Sequence, residues 1–256
     1  MMTANYHTHT WRCSHATGTE REYLRLAAER GMEVYGFSDH TPYPFPAHHD
    51  SWFRMKPEQL PEYVDTILGL RKEFPHIQIP VGLEAEYYPA YFPELRAMLR
   101  DSGIEYLILG QHFLDNEIGA FGSSAPTADI ALLKKYCDQT RDAMQTGLFT
   151  YFAHPDLLNF RGGSRVYEEH IRGLCREANH CGIPLEINLL GIEKGRHYPN
   201  IEFWRIAAEE NCSVVIGCDT HNPSALTNYD SEERAMCMVR ELGLNLLYRV
   251  NLRAIY

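Results

Sequence analysis

The sequence predicts an α/β protein built on a parallel sheet, and two observations predict it. Short apolar runs, too brief for helices and bounded by chain-breaking residues, alternate from end to end with amphipathic stretches of helical period. Side chains able to bind a cation recur at the downstream ends of those runs, the face where parallel α/β folds carry their sites. Right-handed crossovers then either close the sheet into a barrel or leave it doubly wound.

The elements follow in order. Tyr6–His9 is the first and weakest strand candidate. Thr19-x-x-Glu22 is a capping box that opens a helix carrying Tyr23, Leu24, Leu26 and Ala27 on one face and stopping at Gly31. Val34–Phe37 is the next apolar run. After it Thr41–Lys56, rich in proline and containing His48 and His49, reads as a long loop of the kind that often serves as a lid. Ile79–Leu83, Tyr106–Leu109, Phe149–Ala153, Leu185–Ile187 and Val214–Cys218 read as buried strands. Helical windows run from Thr127 to Gly147, Tyr167 to Gly182, Asn200 to Cys212 and Ser231 to Gly243, with Gly147, Gly182 and Gly243 placed as C-caps.

Composition narrows the function. A chain of 256 residues with 45% apolar content and no linker or repeat is expected to form one domain over 1–256. Its formal charge of −10, without a basic run, argues against a nucleic-acid partner. No apolar stretch is long enough for a membrane span, and the first residues lack a leader pattern, so the expected location is cytoplasmic. Seven scattered cysteines without a C-x-x-C pair suit reduced, mostly buried thiols.

The chemistry is carried by histidine. His7, His9, His15, His40, His112, His154 and His221 fall at or just beyond strand ends, joined by Glu84 and Asp219 in equivalent places. In His7-x-His9 and Asp219-x-His221 the two side chains lie on one face of extended chain and can converge on one centre. Successive ligand-bearing ends are 28 to 44 residues apart, room for one crossover helix each. A lone His-x-His is weak; nine candidate ligands spread over six strand ends are not. Neutral imidazoles and carboxylates gathered this way suit Zn²⁺, Fe²⁺ or Mn²⁺. The other six histidines, at 48, 49, 76, 170, 180 and 197, read as ordinary surface residues.

Tyr-His7-Thr-His9 with His15, Ser38-Asp39-His40, Gly-Leu-Glu84, His112, Ala-His154-Pro and Asp219-Thr-His221 together resemble the PHP phosphoesterases (polymerase and histidinol phosphatase domain) over essentially the whole chain. Phe-Ser-Asp-His-Thr-Pro, Gly-Leu-Glu-Ala-Glu-Tyr-Tyr-Pro and Phe-Ala-His-Pro-Asp-Leu are most similar to the histidinol-phosphatase branch. The resemblance implies a distorted, TIM-like (β/α)7 barrel with a trinuclear metal site. His7, His9, Glu84 and Asp219 would hold one ion; a bridging Glu84 with His112 and His154 a second; His15, His40 and His221 a third. It also implies a hydroxide between two ions, held by Glu84 and Asp219, as nucleophile on a small phosphorylated metabolite, L-histidinol phosphate in histidine biosynthesis. Cys-Asp219-Thr-His221 departs from the more usual Ser-Asp-Ala-His without removing a ligand.

Further roles are expected nearby. Arg161, and Arg196 or Lys194, are candidate phosphate clamps on two loops. Asp39 is expected to orient His40 or a water, while Glu186 and Asn188 either reach the pocket floor or bond only within their strand end. Tyr43, Phe45, Trp52, Phe113 and Phe160 either wrap an imidazole ring or pack in the core. Other readings are a PHP phosphoesterase for another small ester and a non-catalytic metal-binding module. An amidohydrolase is disfavoured because no strand ends in the lysine its carbamate would need.

Overall fold

The computed structural model describes residues 2–46 and 49–255. Its sheet is parallel throughout. Strands β1 (Ala4–Asn5) and β2 (Val34–Tyr35) pair with each other. Strands β3 (Phe37–His40), β4 (Val81–Ala85), β5 (Tyr106–Leu109), β6 (Phe149–Phe152), β7 (Leu185–Asn188), β8 (Ser213–Gly217) and β9 (Asn245–Leu246) form a seven-stranded sheet in sequence order. The crossovers carry α1 (Glu20–Glu29), α2 (Leu60–Leu70), α3 (Phe92–Leu99), α4 (Ile130–Gln145), α5 (Ser164–Cys181), α6 (Leu189–Glu193), α7 (Ile201–Glu209) and α8 (Tyr229–Leu242). Among the described residues no helix is long and apolar enough to cross a membrane.

The expected elements appear with informative shifts. The Thr19–Glu22 capping box closes reciprocally at the start of α1, which buries Tyr23, Leu24 and Ala27. Gly182 and Gly243 end α5 and α8 in the left-handed conformation. The run Val34–Phe37 is split at Gly36, where a Cβ would lie 2.5 Å from the Tyr106 hydroxyl. That hydroxyl sits 2.7 Å from the Tyr6 carbonyl and 3.0 Å from that of Phe37, tying three strand segments together. Helices α2 and α3 lie outside the expected windows because each opens on an apolar–proline pair, Leu60-Pro61 and Phe92-Pro93. A proline in the first turn has no N–H to lose to the helix. Residues 41–46 and 49–56 carry no helix or strand, as expected of a long loop; His48 lies outside the described residues.

The first strand is a correction. The ladder is made by Ala4–Asn5, and Tyr6–His9 contributes only a bridge from Thr8 to Thr220. The buried Asn5 side chain explains it, since its amide donates to the His7 carbonyl and Thr8 Oγ1 while its carbonyl accepts from Cys218 N. Groups that a ladder would use are satisfied by a side chain. The segment nevertheless bridges β3 and the turn after β8: Ser38 N donates to the Thr8 carbonyl at 2.8 Å and His9 N to that of Thr220 at 2.9 Å. The sheet is therefore bridged there by isolated backbone bonds and not by a continuous ladder.

Two apolar faces pack the sheet. Tyr106 and Ile108 join Ala4, Tyr6, Val34, Tyr151, Ala153 and Val215 on one side, while Leu107 and Leu109 join the larger core under the helices. This alternation holds β5 on both faces, as expected of a covered parallel strand. Five of the seven free cysteines are buried, four of them in the larger core.

Candidate metal centre

The strand ends bring all nine candidate ligands together. The β3–β4 register places His40 beside Glu84, with His40 Nδ1 3.0 Å from Glu84 Oε2. His154, just past β6, sets its Nε2 2.8 Å from Glu84 Oε1. His7, His9 and His112 each approach Glu84 at 3.5 Å. His9 Nε2 lies 3.2 Å and His7 Nε2 3.5 Å from Asp219 Oδ1. A shallower cluster stacks His15, His40 and His221 around His9, with ring centroids 4.6 Å apart for His15–His221 and 4.0 Å for His9–His221.

The donor set fits cations. His7 and His9 point Nε2 atoms at each other across 3.3 Å. Each ring turns its Nδ1 to a carboxylate, Glu186 at 2.8 Å for His7 and Asp39 at 3.4 Å for His9. With both rings neutral, Nδ1–H donation to those acids would leave two lone pairs facing each other in a buried site, an arrangement that a proton or a shared cation relieves. Glu84 Oε2, His40 Nδ1 and His154 Nδ1 are buried with no hydrogen-bond partner, although their neighbours stand within contact distance. Groups able to hold an ion include His7–His9–Glu84, His7–His154–Asp219 and His9–His40–His221.

Backbone and glycine make the room. His154 and Asp219 adopt positive φ values of +33° and +50°, sparsely populated for residues with a Cβ and a mark of positions held by their surroundings. At Gly110 a Cβ would sit 2.1 Å from Glu84 Oε1, and at Gly217 one would sit 1.7 Å from Glu186 Oε1. The two carboxylates occupy space that only glycine on the next strand leaves free.

Charge balance inside the cluster is set by burial and by the acids. Burial disfavours imidazolium, yet Glu186, Asp219 and Glu84 outweigh it at His7 and push its pKa up to about 10. At His221 burial wins, helped by the neighbouring His9, and the pKa falls to about 3. Glu84 is held well below the usual carboxylate range: burial opposes ionisation, but His112, His7 and His40 prevail.

The outer residues divide. Glu186 also accepts from His154 N at 3.0 Å, and Asn188 donates to both Glu186 and Asp219, so this strand end reaches the site floor. Asp39 turns to the ring of His9 and meets His40 only at its backbone N–H. Glu86, which the sequence reading passed over, accepts from His112 Nδ1 at 2.9 Å; its signal was the i, i+2 spacing from Glu84 on one strand face. A cavity of about 410 Å³ opens above the cluster, lined by Trp52, Phe53 and Phe113 on one side and Lys194, Arg196 and Tyr198 on another. Arg161 is not among the lining residues; its Nε donates to Asn159 at 2.7 Å. Tyr43 and Phe45 pack in or against the core, as does Phe160, stacked on Tyr167. His49 and His197 are half-buried and bonded, to Glu117 and to the Leu157 carbonyl, and so are not plain surface residues.

Comparison with known proteins places this architecture. The PHP domain family model matches residues 5–189. The chain belongs to the PHP family. A protein of Deinococcus radiodurans named "Probable histidinol-phosphatase" is 33% identical over 231 residues, 85% of each chain. A "Probable phosphatase" of Shewanella sp. strain ANA-3 is 26% identical, covering 88% of this chain and 78% of its own. Among solved structures, the histidinol phosphate phosphatase of Lactococcus lactis, complexed with zinc, L-histidinol and phosphate, superposes with a TM-score of 0.75 at 20% identity, over 98% of this chain and 99% of its own. A Listeria monocytogenes structure described as a "putative histidinol phosphatase" gives 0.73 at 19% identity, over 90% and 99%. These likenesses agree on the PHP fold.

Proposed function

We propose that this PHP-family chain is a metal-dependent phosphomonoesterase that hydrolyses L-histidinol phosphate to L-histidinol and phosphate. The observation that carries the reading is the gathering of seven strand-end histidines around Glu84 and Asp219 beneath one cavity. His7, His9, Glu84 and Asp219 would hold a first ion, Glu84, His112 and His154 a second, and His15, His40 and His221 a third, as zinc, iron or manganese. Bound there, the ions supply Lewis-acid stabilisation of the phosphoryl oxygens.

The chain's own groups do the rest. Glu186 and Asp39 hold the His7 and His9 rings with their Nε2 atoms inward. Arg196 and Lys194, lining the cavity from the loop after α6, bind the non-bridging phosphate oxygens. Trp52, Phe53 and Phe113 form an aromatic wall suited to the leaving group's imidazole. The relatives' names support the ester class, and the residues in hand support the chemistry. The whole chain, 1–256, acts as one such domain, with a small metabolite and not a nucleic acid as partner.

Steady-state rates over a panel of phosphomonoesters test the reading. The expected result is a kcat/KM for L-histidinol phosphate at least about 10²-fold above that for p-nitrophenyl phosphate. Equal values would overturn the substrate assignment and leave another small ester; no turnover with ions fully loaded would overturn the phosphatase reading itself.

A further inference from the structure

The cavity's aromatic wall is tied to one candidate ligand through a buried ion network. Phe53 stands 4.9 Å from the His40 ring and 5.8 Å from Phe113, and Trp52 packs on Phe53 at 5.2 Å. The next residue, Arg54, turns inward from the lid-like segment until its side chain is 1% exposed. Its guanidinium lies 4.3 Å from the Phe53 ring centroid. Nε donates to Glu117 and Nη2 to Glu86, each at 2.6 Å, and Nη1 to the Thr41 carbonyl at 3.3 Å.

The choice of acid matters. Glu86 Oε1 accepts from Arg54 and, at 2.9 Å, from His112 Nδ1, while Glu86 Oε2 is buried with no partner. Both partners therefore share one oxygen, one on each lone pair. The bond from His112 Nδ1 fixes the tautomer that leaves Nε2 free, and Nε2 faces Glu84 Oε1 at 3.5 Å. A cation between them would hold the ring in that orientation; without one, the ring's orientation rests on the Glu86 bond. A turn of the His112 ring then loosens its claim on Glu86 Oε1 and changes how Arg54, and with it Phe53 and Trp52, is held. A guanidinium needed only to pin a loop would be served by Glu117, which His49 also meets at 2.7 Å.

We propose that Glu86 and Arg54 are positioning residues that couple ion occupancy at His112 to the placement of the Trp52–Phe53 wall. The proposal rests on reading His112 as a ligand, and its test reads fluorescence and metal content, which do not depend on the identity of the substrate. Trp52 emission is taken as the difference between the chain and its Trp52→Phe variant, before and after ions are removed with a chelator, with ion content measured on the same samples. The chain is expected to show an emission shift on ion removal. Arg54→Gln is expected to retain its ions and lose that shift, and to raise KM for an ester with an aromatic leaving group about tenfold. Glu86→Gln is expected to lose both ions and shift. Arg54→Lys, which keeps the charge but not the two-carboxylate fork, covers the case in which Arg54→Gln does not fold, and is expected to behave alike. An undiminished shift in either folded Arg54 variant overturns the coupling, as does ion loss in it equal to that of Glu86→Gln.

Discussion

The floor and the rim of this cavity are built by different rules. On the floor, His7, His9 and Glu84 are at most 1% exposed, stand on or beside strands, and are each held by a second side chain or by space left on the neighbouring strand. On the rim, Trp52 is 72% exposed, and among the described residues the side chains of Lys194 and Arg196 bond to near neighbours in sequence, Glu193 and Tyr198. A side chain fixed by a strand end has few alternatives, so its removal disturbs everything that shares its centre. A side chain on a loop has many, and its removal costs what that one contact contributes. Floor changes should abolish the chemistry, and rim changes should weaken binding.

Glu84→Ala is the sharpest test of the floor. Its two oxygens reach His154, His40, His7, His9 and His112, so the proposed first and second ions both lose an anchor. Turnover is expected to fall by about 10³-fold or more, with loss of at least one bound ion measured by atomic emission. Retained ions with retained turnover would show that Glu84 is a bystander.

Gly110→Ala asks whether space alone is decisive. The new methyl would sit 2.1 Å from Glu84 Oε1, so the carboxylate must move although no ligand has been removed. A misplacement of that size in a preorganised site is worth about 10²-fold in kcat/KM. Circular dichroism should stay native; a native rate would mean that Glu84 tolerates displacement.

The sequence made the floor legible because its constraints are local and periodic. His7-x-His9, Asp219-x-His221 and the acid ending an apolar run each announce a strand end whose face is known. The order of β3 to β8 follows from the same alternation of runs and helical windows. What stayed hidden was set by tertiary partners. Nothing local says that Asp39 serves the ring of His9 and not that of His40. Asn5 displacing the first strand, or Arg54 reaching from a loop to Glu86, depends on residues far apart in the chain. Arg161 was a plausible clamp by spacing alone, and spacing does not say which way a loop turns.

Proton competition gives a smaller, graded effect. The pKa of His7 is raised to about 10 because Glu186, Asp219 and Glu84 overcome the burial penalty, so the ion-free chain carries that proton at neutral pH. In the ion-free chain the stabilisation from this proton is complete below the ordinary histidine pKa and is lost as pH rises toward 10. Ion binding must expel it, so affinity should rise about tenfold per pH unit through the neutral range and level off near 10. Calorimetry in buffers of different ionisation enthalpy should register at least one proton released; none released would place the ions elsewhere.

The rim is tested last, by a pair of arginines. Arg196 lines the cavity, whereas Arg161 lies outside that lining and is engaged by Asn159. Arg196→Ala is expected to raise KM about tenfold while kcat falls less, the signature of lost ground-state binding. Arg161→Ala is expected to change KM by less than about threefold. The reverse ranking would mean that the loop after β6 swings inward when phosphate arrives. The clamp would then be assembled by the substrate, and the contrast between a preformed floor and an adaptable rim would be sharper still.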